Sequence, residues 1–322
     1  MPTGIPGNAV TVAVGKQTAK GTAQTTPTYK LKLTGGDVSP ARQLLTLAET
    51  DATRQAGAQV VTGSSVTGST THYLRPDDFG LIAYGVLGAN ADTGTTPNYV
   101  HTATSASTLP YFTLYKAYNS TTLVDQYVDC RISDLTVSGA AGGALTYATT
   151  WQGLSATLGS TDPVLTAVTQ TPLAYPQVTV TKGGSAPGTV DSFDLTISNG
   201  GAMVQGDSGL SNIDFVPGLL AITGTVSILF SSDADYRAFH TGTTSGTALT
   251  STVFSESLTI LAQVNTNLSV AFVMTAVEYT AYPLAPDVSG APLKVAMGFR
   301  AKPQAAIADT ISIVTKNAVT TY

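Results

Sequence analysis

The sequence predicts a mainly β protein, built as tandem β-sandwich or barrel domains that each carry one short flanking α-helix. Three observations predict it. Thr, Val and Tyr, which suit pleated and half-buried surfaces, recur along most of the 322 residues. Apolar and polar residues alternate with the period of two of a strand, in segments bounded by Gly- and Pro-rich turns. The order of strands, one acidic-capped helix, a long hairpin region and a closing strand runs through the chain twice.

Residues 1–28, rich in Gly, Thr and Pro, read as an extended arm that is disordered in the free protein. TYKLKLTGGDV (28–38) alternates as a half-buried strand ending at Gly35-Gly36, and AQVVTGSSVTG (58–68) and THYLR (71–75) continue the pattern. Pro76-Asp77-Asp78 then opens a helix of about three turns, with Phe79, Ile82 and Val86 at helical spacing. A prolyl ring and carboxylates suit a helix N-terminus, where free N–H groups and the dipole favour negative charge. NADTGTTPN (90–98) reads as a polar loop. YFTLYKAYN, LVDQYVDCRISDLTVSG and ALTYATTWQGL read as a meander of strands with a Gly-rich turn at 139–143. The stretch 161–176 carries three prolines and reads as a linker.

The second half repeats the programme. QVTVTKGG, SFDLTISNGG and LLAITGTVSILF are strands, and Ser231–Phe239 is a short helix with a Ser/Asp start. SESLTILAQV, LSVAFVMTAVEYTAY, LKVAMGFRA and DTISIVTKNAV are strands. TGSTTHYLRPDDFGLIAYG aligns with TGTVSILFSSDADYRAFHTG, VDCRISDLTVS with VAFVMTAVEYT, and ALTYATTWQGL with PLKVAMGFRA. The division is therefore an arm at 1–28, a first domain at 29–165, a linker at 166–176 and a second domain at 177–322. The alternative is one large β-sandwich with two incidental helices.

Charge and cysteine usage exclude several classes. Only 11% of residues are charged, against about 25% in typical globular proteins, so the surface is weakly protected from self-association and reads as covered by other copies. The net charge of −5 divides into +4 over 1–75, −12 over 76–290 and +3 over 291–322. An acidic middle argues against tight nucleic-acid binding, which needs clustered Lys and Arg. A single cysteine, Cys130, excludes an intramolecular disulfide. Met1–Gly15 lacks the basic and apolar regions of a signal peptide, and the best apolar run, Leu268–Val277, is too short to span a bilayer.

Two tripeptides resemble an enzyme signature. Asp92-Thr93-Gly94 and Asp207-Ser208-Gly209 match the D-[TS]-G pair of pepsin-like aspartic proteases, whose two carboxylates share one proton. They lie only 115 residues apart, follow polar rather than apolar segments, and occupy inequivalent positions about the two helices. Both read as turns. Gly206–Gly209 also resembles a serine-nucleophile loop, but His72 and His101 lack a matching context. His72, His101, His240 and Cys130 show no metal-ligand spacing. Gly15-Lys16 and Lys20-Gly21-Thr22 lack the order of a phosphate loop. Asn119-Ser120-Thr121 and Asn267-Leu268-Ser269 are glycosylation sequons by pattern alone. Trp151 reads as core or interface. No catalytic, cofactor-binding or metal-binding residue and no cofactor is expected.

The opening GKQTAKGTAQTTPTYKLKLTGGDVSP, then SFDLTISNGG and IDFVPGLLAITGTVSILFSSDADYRAFHTGT, resemble the arm, sandwich strands and short helix of the tail tube (major tail) proteins of long-tailed bacteriophages. The resemblance implies a structural virion protein, assembled in the host cytoplasm, that polymerises into rings stacked as the phage tail tube. Subunits would join sheets edge to edge, and the arm would order on stacking. The lumen would hold the tape-measure protein and then pass double-stranded DNA without specific binding, helped by the acidic middle segment. Tail terminator and distal tail proteins would meet the tube ends; no membrane and no sheath are implied. A true duplication implies a trimeric ring with pseudo-sixfold symmetry; without it the ring is a hexamer. Rival readings are a capsid decoration protein, a baseplate component or a cell-surface adhesin, with the aspartic protease as a remote enzyme alternative.

Overall fold

The computed structural model describes residues 6–48, 57–118, 123–163, 165, 167–206, 209–285 and 290–322. The chain is mainly β, as its composition predicts, and its strand ladders are antiparallel. Its first half contains β1 (Val10–Lys16), β2 (Tyr29–Leu31), β3 (Leu33–Thr46), β4 (Gln59–Tyr73), helix α1 (Pro76–Leu87), β5 (Gly88–Thr95), β6 (Asn98–Ser105), β7 (Phe112–Tyr118), β8 (Val124–Ala140), β9 (Thr146–Gly153) and β10 (Ser155–Leu158). The second half contains β11 (Val178–Lys182), β12 (Val190–Ser198), β13 (Ala202–Gln205), β14 (Asn212–Val216), β15 (Ala221–Leu229), helix α2 (Ala234–Thr241), β16 (Ser255–Asn265), β17 (Leu268–Ala281), β18 (Lys294–Ala301) and β19 (Ser312–Asn317).

Strand alternation places one face of these strands in a shared core. In β9, Tyr147, Thr149, Trp151 and Gly153 point in; in β12, Phe193, Leu195 and Ile197 do. A single apolar cluster runs from Val12 to Ile313 and includes residues of both halves. Helix α1 buries Phe79, Leu81, Ile82, Val86 and Leu87 against it. Its start is capped from a distance: the Asp77 N–H donates to Gln170 Oε1, 3.0 Å away. Its end is closed by Gly88, whose φ of 100° suits a residue without Cβ. Helix α2 is shorter and buries only Ala238.

Strand pairings repeat between the halves. β1–β7–β8 corresponds to β11–β16–β17, and β3–β4–β9–β8 to β12–β15–β18–β17. β10 lies on β8 as β19 lies on β17. The first half adds β2 and the β5–β6 hairpin; the second adds the β13–β14 hairpin. Among the described residues two ladders join the halves, β12 on β8 and β19 on β6.

Several expectations are corrected. Residues 1–28 are not wholly an extended arm: Val10–Lys16 is a strand paired along its length with β7, with Val12, Val14 and the small Ala13 and Gly15 buried on both faces. Residues 1–5 lie outside the described residues. The strand through Gly35-Gly36 does not end there; the register shifts at Thr34, while Gly35 and Gly36 pair with Thr71 and Thr70, and β3 continues to Thr46. The polar loop at 90–98 is mostly strand, with β5 in register with β6 from Gly88 to Thr95. The alignment of VDCRISDLTVS with VAFVMTAVEYT is displaced. Gly68 faces Trp151 as Gly224 faces Phe299; one residue along, Thr150 faces Asp134 as Gly298 faces Ala281. Asp134 therefore corresponds to Ala281 and not to Ala276. In the proline-rich stretch, Leu173 is buried and its backbone bonds to Leu74 and Leu145, at 2.9 and 2.8 Å.

Candidate assembly surfaces

The ladder between the halves shows how this sheet is extended. Seven residue pairs join β12 to β8, from Ser192↔Ala140 to Ser198↔Asp134. Side chains on the polar face lock the register: Thr136 Oγ1 lies 3.2 Å from Thr196 Oγ1, and Ser198 Oγ donates to Asp134 Oδ1 at 2.5 Å. Buried Asn199 closes the end of the ladder, its Nδ2 donating to the Val86 and Ile132 carbonyls at 3.0 and 3.1 Å.

The sheet through β4, β9, β8, β12, β15, β18 and β17 has a second face directed away from the core. One row in register across it reads Thr71, Ala148, Thr136, Thr196, Thr223, Arg300, Glu278. It is short, hydroxylated and nearly neutral, because Arg300 Nη2 donates to Glu278 Oε2 at 2.6 Å. The adjacent Asp194 carboxylate accepts from the Thr225 N–H and hydroxyl, at 2.7 and 2.9 Å. The composition rich in Thr and poor in charge is thus the composition of this face.

Two hairpins expose apolar side chains. Leu44, Leu45, Val60 and Val61 stand out at the far end of β3–β4, and Val204, Ile213 and Val216 on β13–β14. The hairpins touch: the Ser64 N–H donates to the Leu210 carbonyl at 2.6 Å, and Gln205 Nε2 to the Thr62 carbonyl at 2.7 Å. Sequence reasoning missed β13–β14, whose residues are largely exposed and carry no clean alternation. β3 has a further feature. Among the described residues it pairs only with β4, and most of its residues are exposed, Val38 being buried. The Val38 carbonyl accepts from Lys116 Nζ at 3.3 Å, and the same ammonium pairs with the Asp37 carboxylate.

The described residues that resembled catalytic groups in the sequence make the following contacts. Asp92 sits in β5, its Oδ1 2.6 Å from His101 Nδ1, and Thr321 Oγ1 donates to its Oδ2 at 2.6 Å. Burial opposes ionisation there, but the hydrogen bonds from Thr321, His101 and Asn90 outweigh it and hold the carboxyl below its ordinary range. His101 Nε2 lies 3.1 Å from Asn317 Oδ1, and Asn317 Nδ2 donates to the Pro76 carbonyl and Tyr322 hydroxyl, so this cluster ties β5–β6 and α1 to the last residues of the chain. Asp207 and Ser208 lie outside the described residues, as do Asn119-Ser120-Thr121. His72 is buried, stacked on Tyr147, and burial lowers its pKa to about 4. Asp78 is buried at the start of α1, and burial, only partly offset by Arg75, pushes its pKa up to about 7. His240 packs beside Tyr236 and Phe239 in α2. Cys130 is buried and its thiol pushed up by burial. Trp151 is core, its Nε1 donating to Thr70 Oγ1 at 3.2 Å. Gly15 lies in β1, where a Cβ would meet Pro27, and Lys16 covers the Tyr84 ring. Among the described residues no group of His, Cys, Asp and Glu forms a metal site, and no helix is long and apolar enough to cross a membrane.

A family model described as phage tail tube protein matches residues 7–281. No curated protein matches the chain.

Proposed function

This chain belongs to the phage tail tube protein family, and from that premise we propose that it polymerises into stacked rings forming the conduit for DNA ejection. As a member of the family it is a structural protein of the phage tail, a component of the virion. The proposal goes further. The halves, 29–165 and 177–322 with a linker at 166–176, act as two tandem sandwich units, so three copies make a ring with pseudo-sixfold symmetry in place of a hexamer of single units. The tube surrounds the tape-measure protein, then passes DNA, and meets terminator and distal tail proteins at its ends. Assembly occurs in the host cytoplasm, and the chain has no catalytic role.

One observation carries this reading. The pairing order of the first half recurs in the second, and the two copies are already joined edge to edge by the β12–β8 ladder. A chain that joins two like units by a sheet edge has the means to join further units the same way. Negative-stain microscopy of the purified protein at rising concentration tests it. Rings or hollow tubes with threefold averages are expected. Sixfold-equivalent subunit counts would replace the trimer by the hexamer, and monomers at every concentration would count against self-assembly.

A further inference from the structure

We propose that the open edge of β3 takes the segment Ala281–Ala285 of a second copy, repeating between copies the β12–β8 junction found within one; the inference rests on the ring reading above. The correspondence follows partner by partner. Val38 faces Gly68 as Leu195 faces Gly224, so β3 is the counterpart of β12, and Ala41, facing Ser65, is the counterpart of Ser198, facing Ala221. On the other side, Ala281 is the counterpart of Asp134. Since Ser198 faces Asp134 inside the chain, Ala41 is placed opposite Ala281 of the second copy, and Asp37 opposite Ala285.

Both partners are prepared for this. Asp134–Ser138 alternates outward and inward, with Leu135 and Val137 buried. Ala281–Ala285 keeps that alternation: Ala281, Pro283 and Ala285 are exposed, Tyr282 is buried and Leu284 is half-buried against the core. Past Ala281, no strand among the described residues pairs with this segment. β3 is equally open over Asp37–Ala41, where Val38 alone is buried. Lys116 Nζ holds the Val38 carbonyl, the place an N–H from the incoming segment would take. An edge strand of this length left uncovered is a site of uncontrolled pairing, and a second copy covers it. Prolines set its limits. With the Val38 carbonyl directed to the open edge, Val38 and Pro40 share that direction and Ser39 does not. Pro40 thus keeps its pairing with β4 intact, and Pro283, opposite Ser39, is asked for no ladder N–H.

Cysteine pairing tests the register. Ala41→Cys and Ala281→Cys change small exposed residues, and native Cys130 is buried. Directly opposed residues meet the geometric limits of a disulfide, whereas residues four positions apart do not. On oxidation of assembled rings, a chain carrying both substitutions is expected to lose its monomer band to a ladder ending at the closed ring. A chain with Ala41→Cys and Ala285→Cys is expected to stay monomeric on the same gel. Rings visible by microscopy with the first monomer band intact, or with the second chain cross-linking as well, would overturn the register and leave the ring reading standing. If unsubstituted protein forms no rings, the ring reading fails, and this proposal fails with it. A second measurement needs no variant: the Tyr282 and Leu284 amides should exchange more slowly in rings than in free chains, and equal rates would overturn the junction.

Discussion

At the scale of the residue, single side chains carry disproportionate weight. Trp151 is fully buried, meets Phe112 edge to face at 5.9 Å, and satisfies its N–H through Thr70. Trp151→Ala removes that packing and is expected to cost about 3–5 kcal/mol, read as a lower denaturant midpoint at unchanged slope. Asp78 and His72 act in opposite directions. Folding raises the Asp78 pKa to about 7, so its contribution is fully present below about pH 4 and is lost as pH rises through 7. Folding lowers the His72 pKa to about 4, so its contribution is present above about pH 6.5 and is lost as pH falls through 4. Asp78→Asn removes only the first loss. Its stability relative to the parent chain is expected to increase from pH 4 to 8, by up to a few kcal/mol. A constant difference across that range, in denaturant titrations at each pH, would show that Asp78 is ionised in the folded protein.

At the scale of the element, helix α1 depends on the last residue of the chain. A Cβ built on Gly80 would overlap the Tyr322 ring, and the Tyr322 hydroxyl donates to the Asp77 carbonyl at 2.8 Å. Gly80→Val is expected to destabilise by about 1–3 kcal/mol through overpacking. In a Tyr322→Ala background the same change should cost much less, because the ring it displaces is gone; a double-mutant cycle by denaturant unfolding reads the coupling. This dependence marks how far the sequence was legible. α1 was readable from Pro76-Asp77-Asp78 and from apolar spacing, since these are local signals. Its partner Tyr322 and its cap Gln170 were not, because contacts across such separations leave no periodic trace. β9, β12 and β17 were readable because one face is buried and the other is not. β5 and β13 were missed because they are mostly exposed on both faces, so nothing forces alternation. β1 was missed because a Gly-, Thr- and Pro-rich neighbourhood hid its Val10, Val12 and Val14, and because residues 12–15 are buried in succession, so burial does not alternate along it. The Asp92–His101–Asn317 cluster shows the same limit: Asp92 and His101 resembled chemistry in the sequence, whereas their partner Asn317 left no signal there, and the three join β5–β6 to the end of β19.

At the scale of the whole molecule, a face shared by both halves has to be assigned an environment. The core side of the long sheet is apolar; the other side carries hydroxyls from Thr136, Thr196, Thr223 and their neighbours, with its charges paired or capped. Within the tube reading, this is the face suited to line a lumen. A polyanion held by cations would release counterions and bind, whereas one facing neutral hydroxyls and a net acidic wall gains nothing by stopping. The row also crosses the β12–β8 junction, so a ring built by repeating that junction would carry it around the wall. The expected consequence is specific. Changing Thr71 and Thr223 together to Lys keeps the exposed side of the sheet polar and leaves the Thr136–Thr196 pair of the β12–β8 junction in place, so rings should still form by microscopy. Each Lys that contacts a phosphate adds about 0.7–0.9 to the slope of log binding against log salt, so with a row of them short duplex DNA should be retained at low salt and released as salt rises. Tubes of the parent chain should retain none under the same conditions. Equal retention by both would mean that DNA does not reach this row in the tube, and the lumen would then belong to another surface of the chain.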